Sequence, residues 1–484
     1  MTCEEGVIMT RRIPKRALVW LCVAAIAIAA LALYACAPKQ NPGIPTPKAE
    51  APSYVPEANS FGVIEAHSWA DQYPNQYSTF LSNDENTWPE GKASKDELYP
   101  EMVTLGKGYG YAKFFMEPGG HTYAMYTVMN NGRVSDKTKA QCLACKTPNL
   151  HFEAAEMGNE AWQRNMFATA ETYKEGGSSL ADAEGISCAN CHVNDDPTQL
   201  KPLRADWIRA MGPDADKRSV SGEVCGQCHC DYSMDAVTGE PTSPYDSISE
   251  MTPDNAIEWY DNHNFVDWTY ESTGAKMLAV RHSEYEYNYG GEGNHMTKLG
   301  YDCADCHMKV ETDADGNAYT SHYWGSPLDN DELIKNDCSN CHKDLKAEVK
   351  QTQEEVWGRT HQVGQRTACY VQNFEKALAA GTVADSDLER LQYIQRAAAY
   401  YWNSAFAENS KGAHNRDRFM HVLDQAEKLL DEGDQLLGME SSAEGFVSEY
   451  DPANDKAKTL DFPESLPQTQ DYGLPEAEKY GYGN

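Results

Sequence analysis

Five cysteine pairs of the form C-x-x-C are spread through the middle of this chain. Four are followed at once by histidine: Cys188/Cys191-His192, Cys225/Cys228-His229, Cys303/Cys306-His307 and Cys338/Cys341-His342. The first pair, Cys142/Cys145, is followed by Lys146 instead. Cysteines three apart share one side of a helical turn, so both sulfurs can reach the two vinyl groups of one porphyrin while the next residue falls beneath the iron. C-x-x-C-H is thus the signature of covalent haem c. Zinc held by four thiolates is the competing use of such pairs. Two pairs per zinc would leave one of the five over and give the following histidines no purpose.

Ligand arithmetic sharpens the assignment. The chain has 14 histidines, and the four in the motifs leave ten, enough to give each of four haems a second axial ligand. An iron with two histidines can pass electrons but has no position for a substrate. The Lys146 site is therefore the one where chemistry is expected. An amine must be neutral to donate to iron, and an ordinary lysine pKa of about 10.4 makes that costly unless the metal and a desolvated pocket favour it.

These sites lie in a chain of 484 residues, long enough for a sizeable core. Of its 15 cysteines, ten belong to the pairs; Cys3, Cys22, Cys36, Cys230 and Cys369 remain, too few for a disulfide framework. A formal net charge of -33 with no basic run in the body excludes nucleic acid as a partner. An anionic substrate would then need a local positive entrance.

At the amino terminus Arg11, Arg12, Lys15 and Arg16 precede an apolar run from Ala17 to Ala35, and Leu33-Tyr34-Ala35-Cys36 resembles a lipobox. Residues 1–36 are read as a signal, lipoprotein or membrane-anchor segment that holds the protein on the outer side of the cytoplasmic membrane, by the helix itself or by lipid on Cys36. Residues 37–58 read as a linker, 59–440 as one pentahaem catalytic domain, and 441–484 as a tail. The fold expected is mainly α with little β and long carboxy-terminal helices. Helical patterns run over Ala154–Ala170, Pro202–Met211, Leu388–Phe406 and Asp417–Leu437, and no sustained alternation demands a sheet.

The ordered set resembles the ammonia-forming cytochrome c nitrite reductases, pentahaem enzymes whose first site is Cys-x-x-Cys-Lys. The resemblance runs over roughly residues 70–430. It includes Gly120-His121-x-Tyr123-Ala124, His229-x-Asp231-Tyr232 and His282-x-Glu284-Tyr285-Glu286. It implies five haem c groups, reduction of nitrite to ammonium by six electrons at the lysine-ligated haem, a homodimer, and a membrane quinol-oxidising multihaem cytochrome as electron donor. It also implies Arg133, Tyr232 and His282 on the distal face of that haem, and second ligands His322, His121, His414 and His295 for the second to fifth haems. His67, His151, His263, His361 and His421 are then ordinary histidines. The alternatives are a multihaem electron-transfer protein without a substrate, or a reductase of hydroxylamine or sulfite.

The chain departs from its relatives at one place. They bind calcium beside the active haem through a glutamate before the tyrosine and a Lys-x-Gln-His segment; here those positions read Asp231 and Ala279-Val280-Arg281-His282. Arginine carries donors only and cannot ligate a cation. The expectation is that calcium is absent from this site and that the Arg281 guanidinium takes its place, paired with Asp231. Asp313-Ala314-Asp315-Gly316-Asn317 resembles half an EF-hand loop, but no glutamate stands at its twelfth position, and a polar turn is expected.

Overall fold

Helices dominate the chain where its apolar residues recur every three or four positions. A computed structural model describes residues 47, 50–83, 94–109, 121, 124–129, 134–175, 185–212 and 219–455. The apolar run 17–35, Cys36 and Arg133 lie outside the described residues. Among the described residues no helix is long and apolar enough to cross a membrane.

Three long helices close the chain: α1 (Leu345–Ala380), α2 (Asp385–Phe406) and α3 (Arg416–Leu437). Asp344 caps α1 by accepting the Ala347 N–H, and Asn415 caps α3 by accepting that of Arg418. Gly381, at φ +65°, ends α1 in the left-handed conformation that costs glycine nothing. The helices bury Val363, Tyr370 and Phe374 of α1 against Leu391, Ile394 and Trp402 of α2 and Phe419, Leu423 and Leu430 of α3. Such stripes at helical spacing supply most of a bundle's stability. The helices approach closely: a Cβ on Gly433 would lie 2.3 Å from the Tyr370 ring. Arg366 bridges α1 to Asp431 and Asp434 of α3 at 2.6 and 3.1 Å.

Phe419 carries the bundle's influence to the rest of the molecule. It is fully buried and meets the Tyr287 ring at 4.6 Å and 61°. Phe419→Ala should lower the unfolding free energy by about 3–5 kcal/mol, the usual cost of deleting a buried aromatic ring. Chemical denaturation of the holoprotein checks this; a change under ~1 kcal/mol would mean that the site collapses without loss.

The chain before α1 is built from short helices, 3-10 turns and two-stranded antiparallel hairpins. The longest hairpin pairs Met308–Thr312 with Ala318–Trp324. Its turn is the EF-hand-like segment, where Asp313 accepts the N–H groups of Asp315 and Asn317 at 2.9 and 2.8 Å. The carboxylate is used by its own backbone, as in an ordinary Asx turn.

Two sequence expectations change. The single pattern over Ala154–Ala170 is three helices, Asn149–Met157, Glu160–Gln163 and Met166–Glu175, because Gly158 sits at φ +70° and breaks the run. The 36-residue α1 carried no clear signal because its continuous buried stripe begins only near Val356. The tail from 441 to 455 lies along the bundle and its neighbours: Gln372 donates to the Val447 carbonyl at 2.7 Å, Thr104 to Glu449 at 2.7 Å and Ser94 to Asp455 at 2.5 Å.

Candidate haem and active site

Short turns present the cysteines. Cys142 ends up on the 3-10 turn Ala140–Leu143, whose Ala140 and Leu143 are fully buried, so the sulfurs and Lys146 face one way while the apolar residues anchor the turn. Cys303–His307 is a helix capped reciprocally by Asp302 and Asp305. Nine of the ten paired cysteines, all but Cys188, and Lys146 line one cavity of about 2210 Å³, against roughly 300–1,000 Å³ for an ordinary small-molecule site.

Histidines meet across that cavity in pairs. Ring centres stand 6.2 Å apart for His121 and His229, 6.1 Å for His192 and His322, and 6.2 Å for His307 and His414. Two metal–imidazole bonds of roughly 2 Å plus two ring radii of just over 1 Å give about 6 Å. His295 lies within electrostatic reach of His342. The outer nitrogens are occupied: Nδ1 of His307 faces the Gly325 carbonyl at 2.9 Å, that of His322 the Thr320 carbonyl at 3.1 Å, and that of His342 Glu348 at 2.7 Å. His414 Nδ1 bonds Glu408. Each such bond fixes the ring and leaves Nε2 for an iron. Burial would lower the His414 pKa, but the Glu408 carboxylate overrides it and lifts it to about 9.

The five remaining histidines have other partners. His361 pairs with Glu101 at 2.9 Å and His421 with Asp254 at 2.8 Å. His151 and His263 face backbone carbonyls at 2.6 and 2.8 Å, and His67 lies 3.5 Å from Glu65.

The cysteines show which sites are neighbours. Cys145 of the first pair lies beside Cys228 of the third, and Cys225 of the third beside Cys303 of the fourth. Cys306 of the fourth lies within electrostatic reach of Cys338 of the fifth, and Cys191 of the second lies near both cysteines of the third.

The wall of the same cavity carries Lys146, Tyr232, His282 and Arg281. Burial first, then His229 and Lys146, hold the His121 pKa down to about 3, so it is a neutral imidazole with a lone pair to give. The His282 ring is 5.3 Å from that of His229, and Glu284 stands 3.5 Å from His282 and 3.8 Å from His229. Burial pushes the Glu284 pKa up, but the two histidines outweigh it and hold it well below its usual value.

Arg281 does not form the ion pair expected with Asp231. Its guanidinium bonds both oxygens of Asp267, at 2.5 and 3.2 Å, and donates to the Tyr109 hydroxyl at 2.9 Å. The cause is hairpin register: Trp268–Thr269 pairs with Lys276–Met277, so Asp267 stands opposite Leu278 and its carboxylate accepts the Ala279 N–H at 2.9 Å, two residues before Arg281. Asp231 is turned the other way, accepting from Tyr260 and Tyr400 at 3.2 and 3.3 Å. Arg281 remains among the charges that act on it. Sequence reasoning missed Asp267, Tyr109 and a buried arginine, Arg204, whose guanidinium lies 4.9 Å over the Tyr232 ring. No local spacing announces any of the three.

Asp231 sits beside Glu286, which accepts its N–H at 2.7 Å. Burial first, then neighbouring carboxylates, raise Asp231 to about 7 despite Arg281, and Glu286 to about 8. Both are near 4 in an unfolded chain. Their contribution to stability is therefore complete below about pH 4 and lost as pH rises through 7 to 8. Glu286→Gln should flatten the fall in melting temperature between pH 6 and 9; an unchanged slope would assign that fall to other groups.

Residues 65–466 match the family model of cytochrome c552. The chain belongs to the cytochrome c552 family. Over 84% of its length it superposes, with a TM-score of 0.67 and 23% identity, on 97% of the catalytic subunit of a cytochrome c nitrite reductase from Desulfovibrio desulfuricans, a protein described with two calcium sites. Outer cell wall cytochrome OcwA matches 72% of the chain and 53% of its own at 20% identity and a TM-score of 0.34. This cytochrome c552 thus has the multihaem nitrite-reductase fold, and membership implies haem c. The residues fit that group: thiols three apart, facing imidazoles at iron-bridging distance and a cavity large enough for several porphyrins.

Proposed function

We propose that this cytochrome c552 reduces nitrite to ammonium with six electrons at a haem c ligated by Lys146, with four bis-histidine haems relaying the electrons. The observation that carries the reading is the difference between sites. Three C-x-x-C-H histidines face a second imidazole at 6.1–6.2 Å, and His342 has His295 nearby, whereas the first pair is followed by Lys146, which lines the same large cavity as Tyr232, His282 and Arg281. Haem c bound there would supply an iron with an open coordination position and deliver electrons one at a time.

The surrounding side chains supply the rest. Conversion of nitrite to ammonium and two waters takes six electrons and eight protons, so proton delivery must be built in. His282, held by Glu284, is placed to give protons to the departing oxygens, and the Tyr232 hydroxyl to donate a hydrogen bond. Arg281, neutralised by Asp267, holds the wall beside Tyr232. Arg133, outside the described residues, is assigned the guanidinium that grips nitrite. The neighbouring cysteines support a relay from the fifth site through the fourth and third to the first, with the second beside the third.

A membrane tether on the outer face of the cytoplasmic membrane, a quinol-oxidising multihaem donor and a homodimer complete the proposal; they rest on the amino-terminal sequence and the family resemblance. Purified holoprotein with a reduced dye should oxidise six dye electrons per nitrite and yield ammonium, with a high-spin iron signal that shifts on adding nitrite. Five low-spin haems without nitrite-dependent oxidation would make it an electron carrier. Faster turnover of hydroxylamine or sulfite than of nitrite would reassign the substrate.

A further inference from the structure

Arg204 is only 1% exposed, an unusual place for a guanidinium. Its Nε and Nη2 form a fork on Asp206 at 3.1 and 2.5 Å, and Asp206 is held in turn by Ser243 at 3.0 Å. The opposite edge, Nη1, donates to the Gln227 carbonyl, lies 3.8 Å from Cys145 Sγ and 4.0 Å from Cys230 Sγ. The guanidinium carbon lies 4.9 Å from the centre of the Tyr232 ring. One side chain thus touches a sulfur of the lysine site, the backbone inside the third C-x-x-C and the tyrosine proposed to face substrate.

A buried ion pair of this kind seldom repays its desolvation in stability, so its orientation is the informative feature. Asp206 lies behind and the donors point at Cys145, which leaves the positive end of the pair at the edge where the first porphyrin would be attached. One-electron reduction adds a negative charge to a haem, and a nearby positive end favours the reduced form. The cation–π contact also fixes the Tyr232 ring.

We propose that Arg204 is a positioning residue of this site: with Asp206 it raises the reduction potential of the haem on Cys142/Cys145 and holds Tyr232 toward substrate. The inference rests on the reading that the Lys146 site is the catalytic one.

The test is a spectroelectrochemical titration of the holoenzyme, following the lysine-site haem separately from the bis-histidine haems, with nitrite kinetics alongside. In Arg204→Gln the lysine-site potential should fall while the other four move little, and kcat should drop about tenfold or more with a smaller change in KM. Arg204→Lys keeps the charge but not the planar guanidinium, so its potential should stay near wild type while kcat falls. Asp206→Asn removes the counter-charge and should raise the potential, so it tests the idea even if Arg204→Gln fails to fold. Unchanged potentials in folded variants, or shifts of the same sign in Arg204→Gln and Asp206→Asn, overturn the proposal. Because the potentials are read without nitrite, these outcomes stand apart from a failure of the nitrite assay.

Discussion

Lys146→Leu should cut nitrite turnover by at least about 10²–10³-fold, a loss comparable to removing one preorganised group from an active site, while the absorption of the low-spin haems stays as it was. The cysteines at 142 and 145 would remain, so attachment persists, but no donor would follow them. His151 cannot easily replace the amine, because its Nε2 is engaged with the Ala144 carbonyl at 2.6 Å. Lys146→His restores a donor, of the kind used at the other sites, and should recover part of the rate. Steady-state kinetics with electron paramagnetic resonance of the resting enzyme checks both variants. Wild-type turnover in Lys146→Leu would remove lysine ligation from the mechanism.

The second large effect is expected at Asp267. Arg281 and Asp267 have side chains only 7% and 6% exposed, and removing one partner of a buried pair strands the other's charge. Asp267→Ala should therefore cost about 3–5 kcal/mol of stability, the range for breaking a buried pair, and reduce nitrite turnover by loosening Tyr109 and Arg281 at the cavity wall. Arg281 already places a fixed positive charge beside Tyr232, 5.8 Å from its ring, so chelators should leave wild-type activity unchanged. Loss of activity on chelation, restored by calcium alone, would show that a cation is needed beside the arginine. Denaturant titration and a chelator series with metal add-back separate the two claims.

What could be read from the sequence is what covalent chemistry makes local. Cysteines three apart and the residue that follows them announce their purpose within five positions, and the departure at Lys146 stands out against four repeats. The helices Asp385–Phe406 and Arg416–Leu437 were legible for the same reason: one face repeats its apolar residues over several turns. Asp267 and Arg204 were not legible, because what places them is hairpin register and packing between segments far apart in the chain. Arg281 shows the boundary between the two. Its identity marked the site as different, but its partner depended on which carboxylate the hairpin Trp268–Met277 carried to it, and that was Asp267 rather than Asp231. The helix Leu345–Ala380 was missed because its first three turns bury no residue and its continuous apolar stripe begins only near Val356.

The order of the chain has a consequence for how the molecule is made. The last attachment cysteine is Cys341, and the first long helix begins at Leu345. Every attachment cysteine therefore precedes the bundle that packs against their segments. Arg418 reaches from α3 to the carbonyls of Glu286 and Gly290, and Asn415 to that of Tyr287 at 3.0 Å, so the helix synthesised last is the clasp on the segment carrying His282. Docking of that helix is what fastens the segment carrying His282 to the bundle.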